Sequence, residues 1–198
     1  MIDIVRYVIA YIIVVFIPFI YILWPLIHPF AIFWRKINPW QTYGIFFSLL
    51  AVTIFTLAPF VEFLTGTDYG FNPFLTIAGV FCWVVSIVIW NKRRKHLTIK
   101  IMLGYPEVSK KSYPGKLLTV GIYGKIRHPR YLELMFEQIG NALVVNMLGV
   151  YIIIVLLIPA LYFTILLEEN ELIDRFGDNY VKYSKSVPRF FPKIKFGS

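Results

Sequence analysis

The sequence has a single cysteine, Cys82, set inside an apolar block, so no disulfide framework can form within the chain. In that setting Cys82 reads as a small buried apolar residue and not as a reactive thiol. Histidine is almost as scarce. His28, His96 and His128 are far apart, and no Cys or His cluster has the spacing of a zinc site. No metal is expected. Charge is sparse too, at 16% of residues, and it is clustered. Neither an internal repeat nor a low-complexity tract stands out, which excludes solenoids and compositionally biased linkers.

Apolar residues are abundant instead. They make up 58% of the 198 residues, and mean hydropathy is +0.68. A soluble domain is usually less than half apolar, and here the excess falls in blocks, which points to a bilayer as solvent. The windows lie near 5–27, 41–61, 74–90, 131–147 and 149–167. Each is about long enough to cross ~30 Å of hydrocarbon as a helix. The run from Tyr7 to Ile27 is too long for a cleavable signal and is followed by no small-residue cleavage site, so it reads as the first span. The last two windows are separated only by Asn146-Met147-Leu148-Gly149 and form a helical hairpin. The expected fold is all-α, a polytopic bundle of about five transmembrane helices. It is one domain over 1–198, with a three-span half at 1–90 and a second half at 91–198 that carries the candidate chemistry.

The net charge of +9 does not call for nucleic acid. Nineteen of the 20 Lys and Arg residues fall in 28–40, 91–130 and 168–198, and Arg6 is the exception. Five spans put those three segments on one face, which the positive-inside rule makes cytoplasmic, with the N-terminus outside and the C-terminus inside. Trp24, Trp34, Trp40, Trp83 and Trp90 lie at or near span ends, as an aromatic belt would. Asn91-Lys92-Arg93-Arg94-Lys95 reads as a stop-transfer and headgroup anchor. Residues 97–130 form a structured cytoplasmic loop, with Ile101, Met102, Leu103, Leu117, Leu118 and Ile122 as apolar anchors. After the last span, Leu172, Phe176, Tyr180 and Tyr183 make an apolar stripe on a C-terminal helix that Gly177 weakens and that Pro188 and Pro192 end.

Three groups of residues can carry chemistry. In Gly121-Ile122-Tyr123-Gly124-Lys125-Ile126-Arg127-His128-Pro129-Arg130-Tyr131, Pro129 suits the first helical position and His128 falls near the N-cap. The unpaired N–H groups and positive dipole there can take a carboxylate or phosphate; the alternative is an ordinary helix start. Glu168-Glu169 stands at a helix C-terminus, against the dipole, so something cationic should offset it: Arg127, Arg130 or a ligand. The short hairpin brings both groups to the same membrane face. Third, Glu133, Glu137 and Asn141 share one face of the fourth span. Intramembrane carboxylates usually face an interior or a cavity, whereas a shallow helix would leave them interfacial.

These motifs resemble a known family. Gly121-x-Tyr123-x-x-x-Arg127-His128-Pro129-x-Tyr131 is similar to the signature of the isoprenylcysteine carboxyl methyltransferase and phospholipid methyltransferase superfamily. Glu168-Glu169-x-x-Leu172-x-x-x-Phe176-Gly177-x-x-Tyr180-x-x-Tyr183, then Val187-Pro188-Arg189-Phe190-x-Pro192, is similar to its tail. The resemblance covers about residues 115–195. It implies S-adenosylmethionine as cofactor, bound on the cytoplasmic side by Lys116, Leu117, Leu118, Tyr123, His128, Pro129, Arg130, Tyr131, Glu168 and Glu169. It also implies a lipophilic or small-molecule methyl acceptor reached from the bilayer. Arg127 and Glu137 are the candidate catalytic residues. Prenylcysteine enzymes carry a substrate-holding arginine four residues before the first glutamate, where this chain has Thr164. The acceptor is therefore open among amines, thiols, phenols and lipid headgroups. Two other readings remain: a membrane sterol reductase binding NADPH, which shares an Arg-His-Pro-x-Tyr-like turn, and a non-catalytic scaffold.

Overall fold

The computed structural model describes residues 2–27, 30–97 and 116–192. His28 and the loop anchors Ile101, Met102 and Leu103 lie outside the described residues. Among those described, regular structure is helical, apart from one antiparallel bridge between Asp68 and Met147.

Local signals set the helix starts. Helix α1 (Ile2–Ile27) opens with Asp3 in its first turn, where a carboxylate favours the dipole. A short helix α2 (Ala31–Trp34) leads to α3 (Pro39–Leu57), where the Asn38 side chain accepts from the Trp40 N–H at 3.0 Å and Pro39 opens the first turn. A 3₁₀ turn (Ala58–Phe60) and α4 (Val61–Thr65) extend it. Asn72 repeats the Asn-Pro cap on α5 (Pro73–Arg94), accepting from Phe74 and Leu75 N–H at 3.0 and 3.1 Å. Helix α6 (Pro129–Val145) and α7 (Leu148–Phe176) form the expected hairpin, turned by Asn146 in the left-handed conformation at φ 53°.

Four stretches, Ile2–Ile27, Pro39–Thr65, Pro73–Arg94 and Leu148–Phe176, are long and apolar enough to cross a membrane. Helix α6, expected as the remaining span, has 17 residues and carries the polar positions, so it falls short of that description. It is sheltered by packing against α5, the most extensive helix pairing in the bundle. The two run antiparallel: Gly79 meets Val144, Trp83 Nε1 donates to Asn141 Oδ1 at 3.0 Å, and Arg93 grips Glu133. Small residues allow this approach. A Cβ on Gly140 would sit 2.6 Å from Trp83 Cδ1 and 2.8 Å from the Gly79 carbonyl oxygen. Trp83 therefore serves the interior and not a belt.

Ala10, Ile13, Ala142, Val145, Met147, Val150 and Ile154 join α1, α6 and α7 in one apolar core. The outward faces carry bare apolar side chains, among them Phe47, Phe55, Phe74 and Val155. Such surface is costly in water and ordinary in hydrocarbon.

At the end away from the basic segments, Arg6 is buried in a clamp. Its Nε and Nη2 donate to the Val145 carbonyl at 3.0 and 2.8 Å, and the same guanidinium pairs with Asp3 and Asp68. Backbone bonds from Leu148 to Thr67 and from Tyr69 to Asn146 tie the α4–α5 loop to the hairpin. At the basic end, Gly177 does more than weaken a helix. Its φ of 55° and ψ of −135° stop α7 and start α8 (Asp178–Ser186) in a new direction. That reversal carries the chain back toward the start of α6.

Candidate functional site

The turn before α6 and the segment after α8 lie side by side at the basic end. Gly121–Gly124 is a 3₁₀ turn in which Gly121 has φ 62°. The Tyr183 hydroxyl donates to the Tyr123 carbonyl at 2.6 Å. Arg127 N–H donates to the Pro188 carbonyl at 2.8 Å and His128 N–H to the Arg189 carbonyl at 3.0 Å. His128 is the N-cap residue of α6 and Pro129 its first residue, as the sequence predicts. The cap makes no side-chain bond to its own helix, so the imidazole is available elsewhere.

It is used on the acid pair. His128 Nε2 lies 2.9 Å from Glu169 Oε1, and its Nδ1 lies 3.8 Å from Glu168 Oε2. An ionised carboxylate only accepts, so Nε2 is the donor in the first contact. Glu169 is then held from two further sides. Arg127 Nη2 and Nε reach Oε1 at 2.7 and 3.2 Å, and Arg189 Nη2 reaches Oε2 at 2.7 Å. Arg127 Nη1 also donates to the carbonyls of Val187, at 2.8 Å, and Ser184, which binds the tail into the cluster. Arg127 and Arg189 balance Glu168 and Glu169 in formal charge. Glu168 keeps more of its side chain accessible than Glu169, 26% against 11%.

Aromatic and apolar groups wall the cluster. Tyr131 is buried with its ring 5.6 Å from His128, and the Phe190 ring, in the same apolar cluster as Tyr131, lies 6.5 Å from the imidazole. Leu117 packs with Tyr180, Tyr183 and Val187. Burial pushes the Tyr123 hydroxyl up to about 12, although the neighbouring Arg93 charge opposes this, so Tyr123 stays a neutral donor.

The structure thus brings together Leu117, Tyr123, Arg127, His128, Pro129, Tyr131, Glu168 and Glu169 from the predicted set. Arg130 is half-buried next to them and contributes to the field at Tyr123. Leu118 is half-buried and Lys116 exposed, at the start of the described segment. Glu137 stands apart from the cluster. It is exposed on α6, within electrostatic reach of Glu133 and Tyr21. Thr164 is buried and its hydroxyl donates to the Ala160 carbonyl of its own helix at 2.8 Å.

Three features were not singled out by sequence reasoning. Arg189 is the second counter-charge of Glu169; it belongs to the tail motif, but only the chain reversal at Gly177 brings it home. Arg93 is buried in a two-pronged pair with Glu133 at 2.8 and 3.0 Å and is no headgroup anchor. Glu133 correspondingly is not a solvated interfacial carboxylate. The third is Tyr180, treated below.

No family model matches the chain. Two curated relatives do. One is a protein-S-isoprenylcysteine O-methyltransferase of Xenopus laevis, 30% identical over 153 residues, which are 74% of this chain and 52% of that protein. The other, of the same name, is from Schizosaccharomyces pombe, 32% identical over 87 residues, 43% of this chain and 37% of that protein. The chain spans about half the length, or less, of these relatives. Over these stretches the chain is similar to protein-S-isoprenylcysteine O-methyltransferases at about 30% identity.

Proposed function

We propose that this chain is an integral membrane methyltransferase that uses S-adenosylmethionine and acts on a lipophilic or small-molecule acceptor. The observation that carries the reading is the convergence of His128 and the Glu168-Glu169 pair within 4 Å of one another at the basic end. By the positive-inside rule that end is cytoplasmic, where the cofactor would be met.

The donor set suits the cofactor. Carboxylates suit an ammonium group or ribose hydroxyls, and Glu168, the more accessible acid, is the one placed to take them. His128, Tyr123 and the positive end of the α6 dipole suit a carboxylate or adenine. Glu169, gripped by Arg127, Arg189 and His128, anchors the cluster and fixes the orientation of the imidazole. When bound, S-adenosylmethionine supplies a methyl group already activated by its sulfonium. The protein's share is to align donor and acceptor and keep water out. Tyr131, Phe190 and Leu117 form the dry walls that this requires. The strap of residues 187–190 is bonded to Arg127 and His128 beside the cluster.

A reductase would need free cationic groups for the 2′-phosphate of NADPH. Here Arg127 and Arg189 are committed to Glu169, and an acid pair repels phosphate. Thr164 offers no cation to an acidic acceptor, so the acceptor class stays broad. Incubation of the purified protein with methyl-labelled S-adenosylmethionine and a native lipid extract tests the reading. Label should enter an extractable product, and less of it with Glu168→Gln. Incorporation that is absent, or equal in the two proteins, would contradict it.

A further inference from the structure

Tyr180 lies in α8, on the stripe that packs the tail helix down. Its neighbours account for the ring. Tyr183 lies 5.9 Å away edge-on, and Leu117, Leu172 and Phe176 complete the apolar contact. They do not account for the hydroxyl. Tyr180 is 2% exposed, and its oxygen is buried with no hydrogen-bond partner among the described residues. The adjacent tyrosine of the same stripe shows the contrast, since the Tyr183 hydroxyl is spent on the Tyr123 carbonyl.

A buried hydroxyl left unpaired is a standing cost that a fold does not normally keep, and Phe in its place would avoid it. The surroundings say what relieves it. The Tyr180 hydroxyl is held up mainly by burial and then by the charge of Glu169, with Arg127 and Glu168 also felt, so it lies in the field of the cluster described above and stays a neutral donor. The same ring rests on Leu117, which the family resemblance assigns to the cofactor.

We infer that Tyr180 is a ligand-binding residue whose hydroxyl donates to an acceptor atom of the bound cofactor. This rests on the cofactor reading above. Binding would give the hydroxyl the partner that the protein withholds, so the ligand recovers a cost already present in the empty fold. The tail helix is thereby part of the binding site, and the strap it carries is tightened from the ligand side.

Tyr180→Phe separates a binding role from a structural one. In the full-length protein without ligand, Tyr180→Phe should leave the thermal midpoint unchanged or raise it, because no bond is lost. Tyr183→Phe, which does lose a bond, should lower it. Titration calorimetry with S-adenosylhomocysteine should show affinity about tenfold weaker in Tyr180→Phe than in the wild type. A lowered midpoint, or failure to fold, would assign the hydroxyl to the fold and overturn the inference. So would unchanged affinity. If the wild type itself binds no S-adenosylhomocysteine, the cofactor reading falls first and this inference with it.

Discussion

Arg127 Nη2 and Glu169 Oε1 meet at 2.7 Å, and through that contact the loop before α6 is joined to α7, about two turns before its end at Phe176. The same guanidinium holds the carbonyls of Ser184 and Val187, so one side chain fastens three segments. Arg127→Ala would leave a buried carboxylate short of its partner and two carbonyls unpaired. A loss of about 3–5 kcal/mol is expected for breaking such a pair. Arg189, at 35% side-chain exposure, should cost distinctly less when replaced. Thermal unfolding in detergent, with limited proteolysis of the tail, checks the order.

Glu168→Gln should weaken S-adenosylhomocysteine binding by about tenfold or more, as loss of a charge-assisted contact does. The ligand-free midpoint should fall less than it does for Glu169→Gln, because Glu169 carries the salt bridges to Arg127 and Arg189. Calorimetry on the variant checks both statements. Unchanged affinity would remove Glu168 from the site.

The Arg6 clamp gives a prediction at the opposite end. Burial alone would raise the Asp68 carboxyl, but the bonds from Arg6 and the Gly70 N–H outweigh it and hold the group below its ordinary 3.8. A depressed folded value means that the stabilisation is complete above the unfolded value and drains away as pH falls through the folded one. The midpoint should therefore drop as pH is taken below about 4. Asp68→Asn should be less stable at neutral pH and lose less on acidification. Equal acid sensitivity in the two proteins would separate Asp68 from this effect.

Gly140→Ala should disrupt the α5–α6 contact, since the added methyl meets Trp83 and the Gly79 carbonyl. Overpacking of this kind typically costs about 1–3 kcal/mol. The midpoint of the variant, compared with Gly44→Ala, where a Cβ meets nothing within 4 Å, is the check.

Four of the five expected spans and the hairpin are legible in the sequence because apolar length is a local signal. The site is legible in part: Pro129 marks a helix start, and two adjacent acids on a basic face demand a cation, which Arg127 supplies. The pair does not stand at the expected helix end, because α7 runs on to Phe176. Arg189 and Tyr180 are not legible, because both reach the site only after Gly177 turns the chain, and no local pattern gives the direction of that turn. Arg93 is hidden among Lys92, Arg94 and Lys95. Which member of a basic run turns inward is decided by the register of α5 on α6, where Glu133 waits.

The central claim is that the His128 turn and the acid pair hold S-adenosylmethionine or its product. The most direct measurement is the thermal midpoint of the purified full-length protein with S-adenosylhomocysteine and, separately, with NADPH. A ligand that binds the folded state alone raises the midpoint with concentration, by about 2.7 kcal/mol of stability at a hundredfold excess over Kd. The account predicts a rise with S-adenosylhomocysteine and none with NADPH. A rise with NADPH alone, or with neither, would contradict it.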